Sequence, residues 1–164
     1  MLKFANHDVV FQEVPDHVTL AINISNCPNH CLGCHSPYLW NDVGNELNNN
    51  ILDKLIHKND GITCVCFMGG DQAPAEVEKL AKHVKNAFPK LKVAWYSGKE
   101  EIPPVIDICN FDYVKTGRYD EKCGPLSSPT TNQRMLKILA DGRKENITNF
   151  FQKKRIISQH RKEH

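Results

Sequence analysis

The chain has 164 residues, 40 % apolar and 24 % charged, with a net charge of +2. That is the balance of one globular domain with enough material for a core. It falls short of the about 250 residues of a complete eight-fold barrel, and no apolar run approaches the about 20 residues of a membrane span. The N-terminal 1-MLKFANHDVVFQEV-14 lacks the apolar run of a signal peptide, and seven cysteines, an odd number, argue against a disulfide framework. The expectation is a cytoplasmic protein with reduced thiols. Charge is uneven: residues 152–164 hold Lys153, Lys154, Arg155, Arg161 and Lys162 against Glu163, a net +4, so the overall +2 leaves −2 for residues 1–151. Short basic termini are commonly just solvated. Residues 1–151 are therefore read as the domain and 152–164 as a flexible tail, with no direct contact to nucleic acid or membrane.

In chain order, 8-DVVFQEV-14 predicts a first strand and Pro15-Asp16 a turn. In 17-HVTLAINIS-25, Val18, Leu20, Ile22 and Ile24 alternate with polar or small residues, the period of a second strand. Its end runs into 27-CPNHCLGC-34, three cysteines at spacings of four and three in one loop. Thiolates hold soft metals and iron–sulfur clusters. A plain electron-transfer cluster takes four cysteines; three would leave one iron of a four-iron cluster open to a substrate. The loop also contains His30 and His35, so a structural zinc held by three cysteines and a histidine stays open, as does a simple electron carrier. Next, 35-HSPYLWNDVGNE-46 is irregular, and its apolar Tyr38, Leu39 and Trp40 are expected to anchor the loop to the core.

Leu47, Ile51, Leu52, Leu55 and Ile56 recur at helical spacing over 46–58, closed by Asn59-Asp60-Gly61. The run 62-ITCVCFM-68 reads as a buried strand, with Cys64 and Cys66 as small core residues on one face. A helix over 74–87 has Pro74 in its first turn and an inward stripe of Val77, Leu80, Ala81, Val84 and Phe88. Strands follow at 91-LKVAWY-96 and 111-FDYVKT-116; Pro103-Pro104 excludes a helix through the start of the link between them. After a long loop over 117–133, the segments 134-RMLKIL-139 and 143-RKENIT-148 predict a hairpin about Asp141-Gly142. Alternating strands and helices at this spacing imply a parallel sheet with helical crossovers.

The core strands end, in order, in the cysteine loop, Gly69-Gly70-Asp71, Ser97-Gly98 and Gly117-Arg118. In a parallel arrangement these ends share one rim, where small molecules bind. Glycines there let a ligand approach the backbone, while Asp71 alternatively helps start the next helix.

The Cys-x3-Cys-x2-Cys loop resembles the signature of the radical S-adenosylmethionine (SAM) superfamily, and Gly69-Gly70-Asp71 resembles its Gly-Gly-Glu motif. With 27-CPNHCLGCHSPYLW-40, 67-FMGGD-71, 96-YSG-98 and 130-TTNQR-134, the chain looks like an activating protein of anaerobic (class III) ribonucleoside-triphosphate reductase over residues 8–148. The resemblance implies an α/β fold, an open partial (βα) barrel of the radical SAM type with a C-terminal β-hairpin. It implies a [4Fe-4S] cluster on Cys27, Cys31 and Cys34, and SAM contacts from Gly33, Cys34, His35, Gly69, Gly70, Asp71 and Ser97. Because Gly33 stands where many relatives have an aromatic, His35 or Tyr38 would pack near the adenine. SAM would be cleaved reductively to a 5′-deoxyadenosyl radical that generates a glycyl radical on the large subunit of the reductase. A reduced flavodoxin- or ferredoxin-type donor would supply the electron. Arg118, Thr131, Asn132, Gln133 and Arg134 are candidate partner or cofactor contacts, though such residues also serve as local hydrogen-bonders. So short a domain is expected to lack a lid of its own and to be closed by its protein substrate. Another small radical SAM enzyme and a non-catalytic zinc module remain the alternatives.

Overall fold

The computed structural model describes residues 1–152; the basic tail lies, from residue 153 on, outside the described residues. Eight strands form one mixed sheet: β1 (Lys3–Val10), β2 (Thr19–Ile24), β3 (Asn45–Glu46), β4 (Cys64–Met68), β5 (Lys92–Tyr96), β6 (Tyr113–Thr116), β7 (Arg134–Ile138) and β8 (Lys144–Asn146), in the order β3-β1-β2-β4-β5-β6-β7-β8. The inner four, β2, β4, β5 and β6, run parallel, and the outer strands pair antiparallel. Helices α1 (Asn49–Lys58) and α2 (Pro74–Ala87) carry the first two crossovers. The third is irregular and holds only a short 3-10 turn, Ile108–Asn110.

The parallel strands step one way across the sheet, and both helices lie on the same face, as crossovers of one hand require. Leu20, Ile22, Val65, Phe67, Val93, Trp95 and Val114 point to that face and pack against Leu52, Leu55 and Ile56 of α1 and Val77, Leu80, Ala81 and Val84 of α2. Trp95 and Phe67 are fully buried; burying side chains of this size contributes roughly 2–3 kcal/mol each. Alternate residues point the other way. Cys64, Cys66, Ala94, Tyr113 and Met135 form a second core with Val14 and Leu126, against which Ile147 and Phe151 of the C-terminal segment pack. Both cysteines are thus the small buried residues their strand position suggests. Burial pushes the Cys64 thiol up to about 12 and Cys66 well above its ordinary value.

Several boundaries move from expectation. The first strand is Lys3–Val10 rather than 8–14: Phe11 is exposed, and Val14 belongs to the second core. Helix α1 begins at Asn49 because Asn48 caps it, its side chain accepting from the Ile51 amide (3.0 Å). Leu47 instead donates its amide to the Leu2 carbonyl (2.8 Å).

Candidate metal centre

The cysteine loop leaves β2 through Asn26, which together with His30 has left-handed backbone, at φ +60° and +45°. Non-glycine residues are uncommon there; tertiary contacts must hold them. The amides of Asn26 and Cys27 donate to the carbonyls of Asn41 and Leu39 (both 2.9 Å). The His30 ring stacks on Trp40 at 4.8 Å between centroids, and the Tyr38 hydroxyl accepts from Asn6 Nδ2 (2.8 Å). The Tyr38-Leu39-Trp40 cluster therefore anchors the loop; Tyr38 does not line the cavity described below.

All four strand ends meet. Asp71 accepts from Ser97 Oγ (2.5 Å), the Gly98 amide (2.8 Å) and Asn29 Nδ2 (2.7 Å). Asn29 Nδ2 also faces Cys27 Sγ at 3.6 Å, and the Asn29 carbonyl accepts from the Arg118 guanidinium (3.3 Å). Asn29 so ties the thiol loop to the β4 end through its side chain and to Arg118 after β6 through its backbone carbonyl, while Asp71 carries the tie on to the β5 end. Asp71 starts no helix: α2 begins at Pro74, and its cap residue Ala73 makes no side-chain cap bond. The room left by two of the glycines is used by the protein itself. A Cβ on Gly98 would stand 2.4 Å from Asn29 Nδ2, and one on Gly70, at φ +93°, would stand 2.4 Å from Val77 Cγ2. Both glycines permit close packing of the rim rather than free approach of a ligand. Gly69 caps the buried indole instead, its carbonyl accepting from Trp95 Nε1 (2.8 Å).

The 117–133 loop lies against the cysteine loop. Beyond Arg118, the Tyr119 ring sits 5.2 Å from that of His35, and Glu121 packs on Gly33. The Thr131–Arg134 run holds this loop from behind. Gln133 Nε2 donates to Gly117 O (3.3 Å), Asn132 Nδ2 to Arg118 O (3.0 Å), Thr131 Oγ1 to Gly124 O (3.4 Å) and the Arg134 guanidinium to the carbonyls of Thr131 and Gln133 (2.9 and 2.8 Å). Thr131 and Gln133 are buried, so these residues act chiefly as local hydrogen-bonders. Asn132 Oδ1 is buried with no partner, an acceptor left available.

Beneath the rim, on the face of the second core, lies a cavity of about 810 Å³ whose lining includes His35, Met68, Tyr96, Lys115, Tyr119 and Gln133. Asn29 and Lys115 escaped the sequence reading. Asn29 stands between two cysteines, at a position to which the spacing assigns no residue type. Lys115 carried a signal, as the sole charge within the apolar strand Tyr113–Thr116.

The donor set suits an iron–sulfur cluster. Three thiols share one loop, and two already receive N–H groups: Cys27 from Asn29, and Cys34 from the Ser36 amide (3.4 Å). Such hydrogen bonds to sulfur tune clusters. Cys31 is buried, Cys27 and Cys34 half-buried. Among the described residues no three His, Cys, Asp or Glu side chains, the loop cysteines included, are gathered around a single-ion position; both loop histidines are in contact with aromatic rings.

The sheet presents three thiols on one strand-end loop, a donor type that holds iron–sulfur clusters. The family model for a 4Fe-4S single cluster domain matches residues 17–102, from β2 through the Ser97-Gly98 turn, just over half of the chain. The chain belongs to that family. No curated protein and no solved structure matches it. No helix among the described residues is long and apolar enough to cross a membrane.

Proposed function

We propose that the protein is a radical SAM activase that generates the glycyl radical of anaerobic ribonucleoside-triphosphate reductase. The observation that carries the reading is the single network from Cys27 through Asn29 and Asp71 to Ser97 and Gly98. It joins a three-thiol loop to the Gly-Gly-Asp and Ser-Gly strand ends. An open partial barrel is supported by the one-way strand order and by the two crossover helices sharing one face. Cys27, Cys31 and Cys34 would hold a [4Fe-4S] cluster, which, when bound and reduced, supplies the electron that cleaves SAM to methionine and a 5′-deoxyadenosyl radical.

The chain's own residues bind, orient and shield. Asn29 and the Ser36 amide steady two of the thiols. Asp71 holds the β4 and β5 ends at fixed spacing beside the thiol loop, where the amino acid part of SAM would sit. His35 and Tyr119, in ring contact, wall the cavity where the adenine would pack, and Met68, Tyr96 and Gln133 exclude water below. Cys64 and Cys66, protonated and within the sheet, stand apart from the ligand set. A flexible glycine loop of the partner can approach such a site with no side chain in the way. The exposed Leu32 of the cysteine loop offers the partner an apolar contact.

The test is anaerobic incubation of reconstituted protein with SAM, a reduced flavodoxin- or ferredoxin-type donor and the reductase large subunit, read by electron paramagnetic resonance. The reading predicts a glycyl radical that depends on SAM. Absence of the radical with SAM cleavage intact would move the protein to another radical SAM reaction, and absence of both would leave an electron carrier.

A further inference from the structure

On the sheet face that carries Cys64, Cys66 and Tyr96, Lys115 is a buried cation with no ion-pair partner among the described residues. Lys115 is 8 % exposed. Its Nζ donates to the Gly117 carbonyl (3.1 Å) and lies 5.5 Å from the Tyr96 ring centroid. Those contacts satisfy only part of an ammonium's three donors. Among the described residues the ion pairs of the molecule all lie elsewhere, so no carboxylate stands within 4.0 Å of Nζ. Burying a charge without a counter-charge is costly, which points to an anion supplied by something else. Lys115 lines the cavity under the rim together with His35, the neighbour of Cys34. Burial pushes the Lys115 ammonium down from its ordinary value, while Asp71, Cys31, Cys66 and Cys27 push it back up. Two of those groups belong to the thiol loop.

We propose that Lys115 is the buried counter-cation of the cluster, a positioning charge that raises the cluster's reduction potential. A cluster held by thiolates is anionic, and reduction adds one more negative charge. A fixed cation nearby favours the reduced state, and the low polarity of a buried site lengthens its reach. Tyr96 and Met68 line the same cavity as the lysine, and the Tyr96 ring faces its Nζ. The inference rests on the cluster that family membership gives and is independent of whether SAM is cleaved.

The test is a redox titration of the anaerobically reconstituted full chain, following the reduced-cluster resonance in wild type, Lys115→Met, Lys115→Gln and Lys115→Arg. At fixed poise near the midpoint, Met and Gln should lower the ratio of reduced to oxidised cluster on the order of tenfold, about 59 mV for a one-electron couple. Lys115→Arg should titrate close to wild type. Iron content should be equal throughout, because Gly117 O retains Gln133 Nε2 as a donor. Lys115→Gln, which keeps a donor of its own, serves if methionine disturbs the strand. Midpoints unchanged in both charge-free variants would overturn the proposal. So would unchanged midpoints with weakened SAM binding, which would make Lys115 a ligand contact instead. A wild-type chain that assembles no cluster would sink the cluster assignment itself, and this inference with it.

Discussion

Asp71→Ala removes the knot of the rim. The carboxylate accepts three hydrogen bonds of 2.5, 2.7 and 2.8 Å, from Ser97, Asn29 and Gly98. A hydrogen bond to a charged partner contributes about 1.5–3 kcal/mol. The three share one half-buried acceptor and water can reach part of the site, so their joint loss is worth about 3–4 kcal/mol rather than the full multiple. Asp71→Asn keeps one oxygen but turns an amide N–H₂ toward donors, for a loss of about 2 kcal/mol. Against a typical domain stability of about 5–15 kcal/mol, both variants should remain folded and unfold at lower urea. The assay is urea unfolding of reduced, metal-free protein, which keeps cluster binding from adding to apparent stability. The midpoint should fall with the slope unchanged. Both variants unfolding with wild type would show that Asp71 is not the structural tie described here but a group held free for a ligand.

The other expectations are narrower. Cys31→Ala should abolish four-iron assembly on iron and sulfide analysis, whereas Cys64→Ala should assemble normally; cluster loss in Cys64→Ala would mean the ligands are misassigned. Gly98→Ala drives a Cβ to 2.4 Å from Asn29 Nδ2, so it should displace that side chain and lower the metal-free stability by about 1–3 kcal/mol, and Asn29→Ala in the same background should remove most of the penalty. In metal-free protein at pH 8, iodoacetamide mapping should find exposed Cys109 modified first and Cys64 and Cys66 spared until unfolding. The Cys64 thiol rises in the fold from its ordinary 9.0 to about 12. The unfolded chain therefore loses that proton first, and the stability this thiol contributes is full below pH 9.0 and lost as pH climbs toward about 12. Alkaline unfolding that is unchanged in Cys64→Ala would contradict this.

The parallel core was readable because its strands carry continuous apolar runs and its helices a 3.6-residue stripe. Residues 74–87 and the run ending at Met68 needed little correction. The edges were not. Lys3–Val10 has Asn6, His7 and Asp8 at its centre and a register shift between Phe4 and Asn6, so neither period shows, and the apolar Val9, Val10 and Phe11 drew the strand too far along the chain. Strand β3, two exposed residues, has no pattern of its own and exists because Phe4 and Lys3 pair with it. At the site the thiol spacing was visible, since it is local. The Asn29–Asp71–Ser97 tie, the docking of 117–133 on the thiol loop and the isolation of Lys115 depend on residues brought together from far along the chain. No spacing rule reports those.

The central claim is a cluster held by Cys27, Cys31 and Cys34 whose remaining iron accepts SAM. Its most direct test is chromatographic assay for 5′-deoxyadenosine after anaerobic reconstitution with iron and sulfide, addition of SAM and reduction with dithionite. The account predicts 5′-deoxyadenosine and methionine in equal amounts, absent from Cys31→Ala. A protein that holds a full four-iron cluster, takes up electrons and returns SAM unchanged would contradict it.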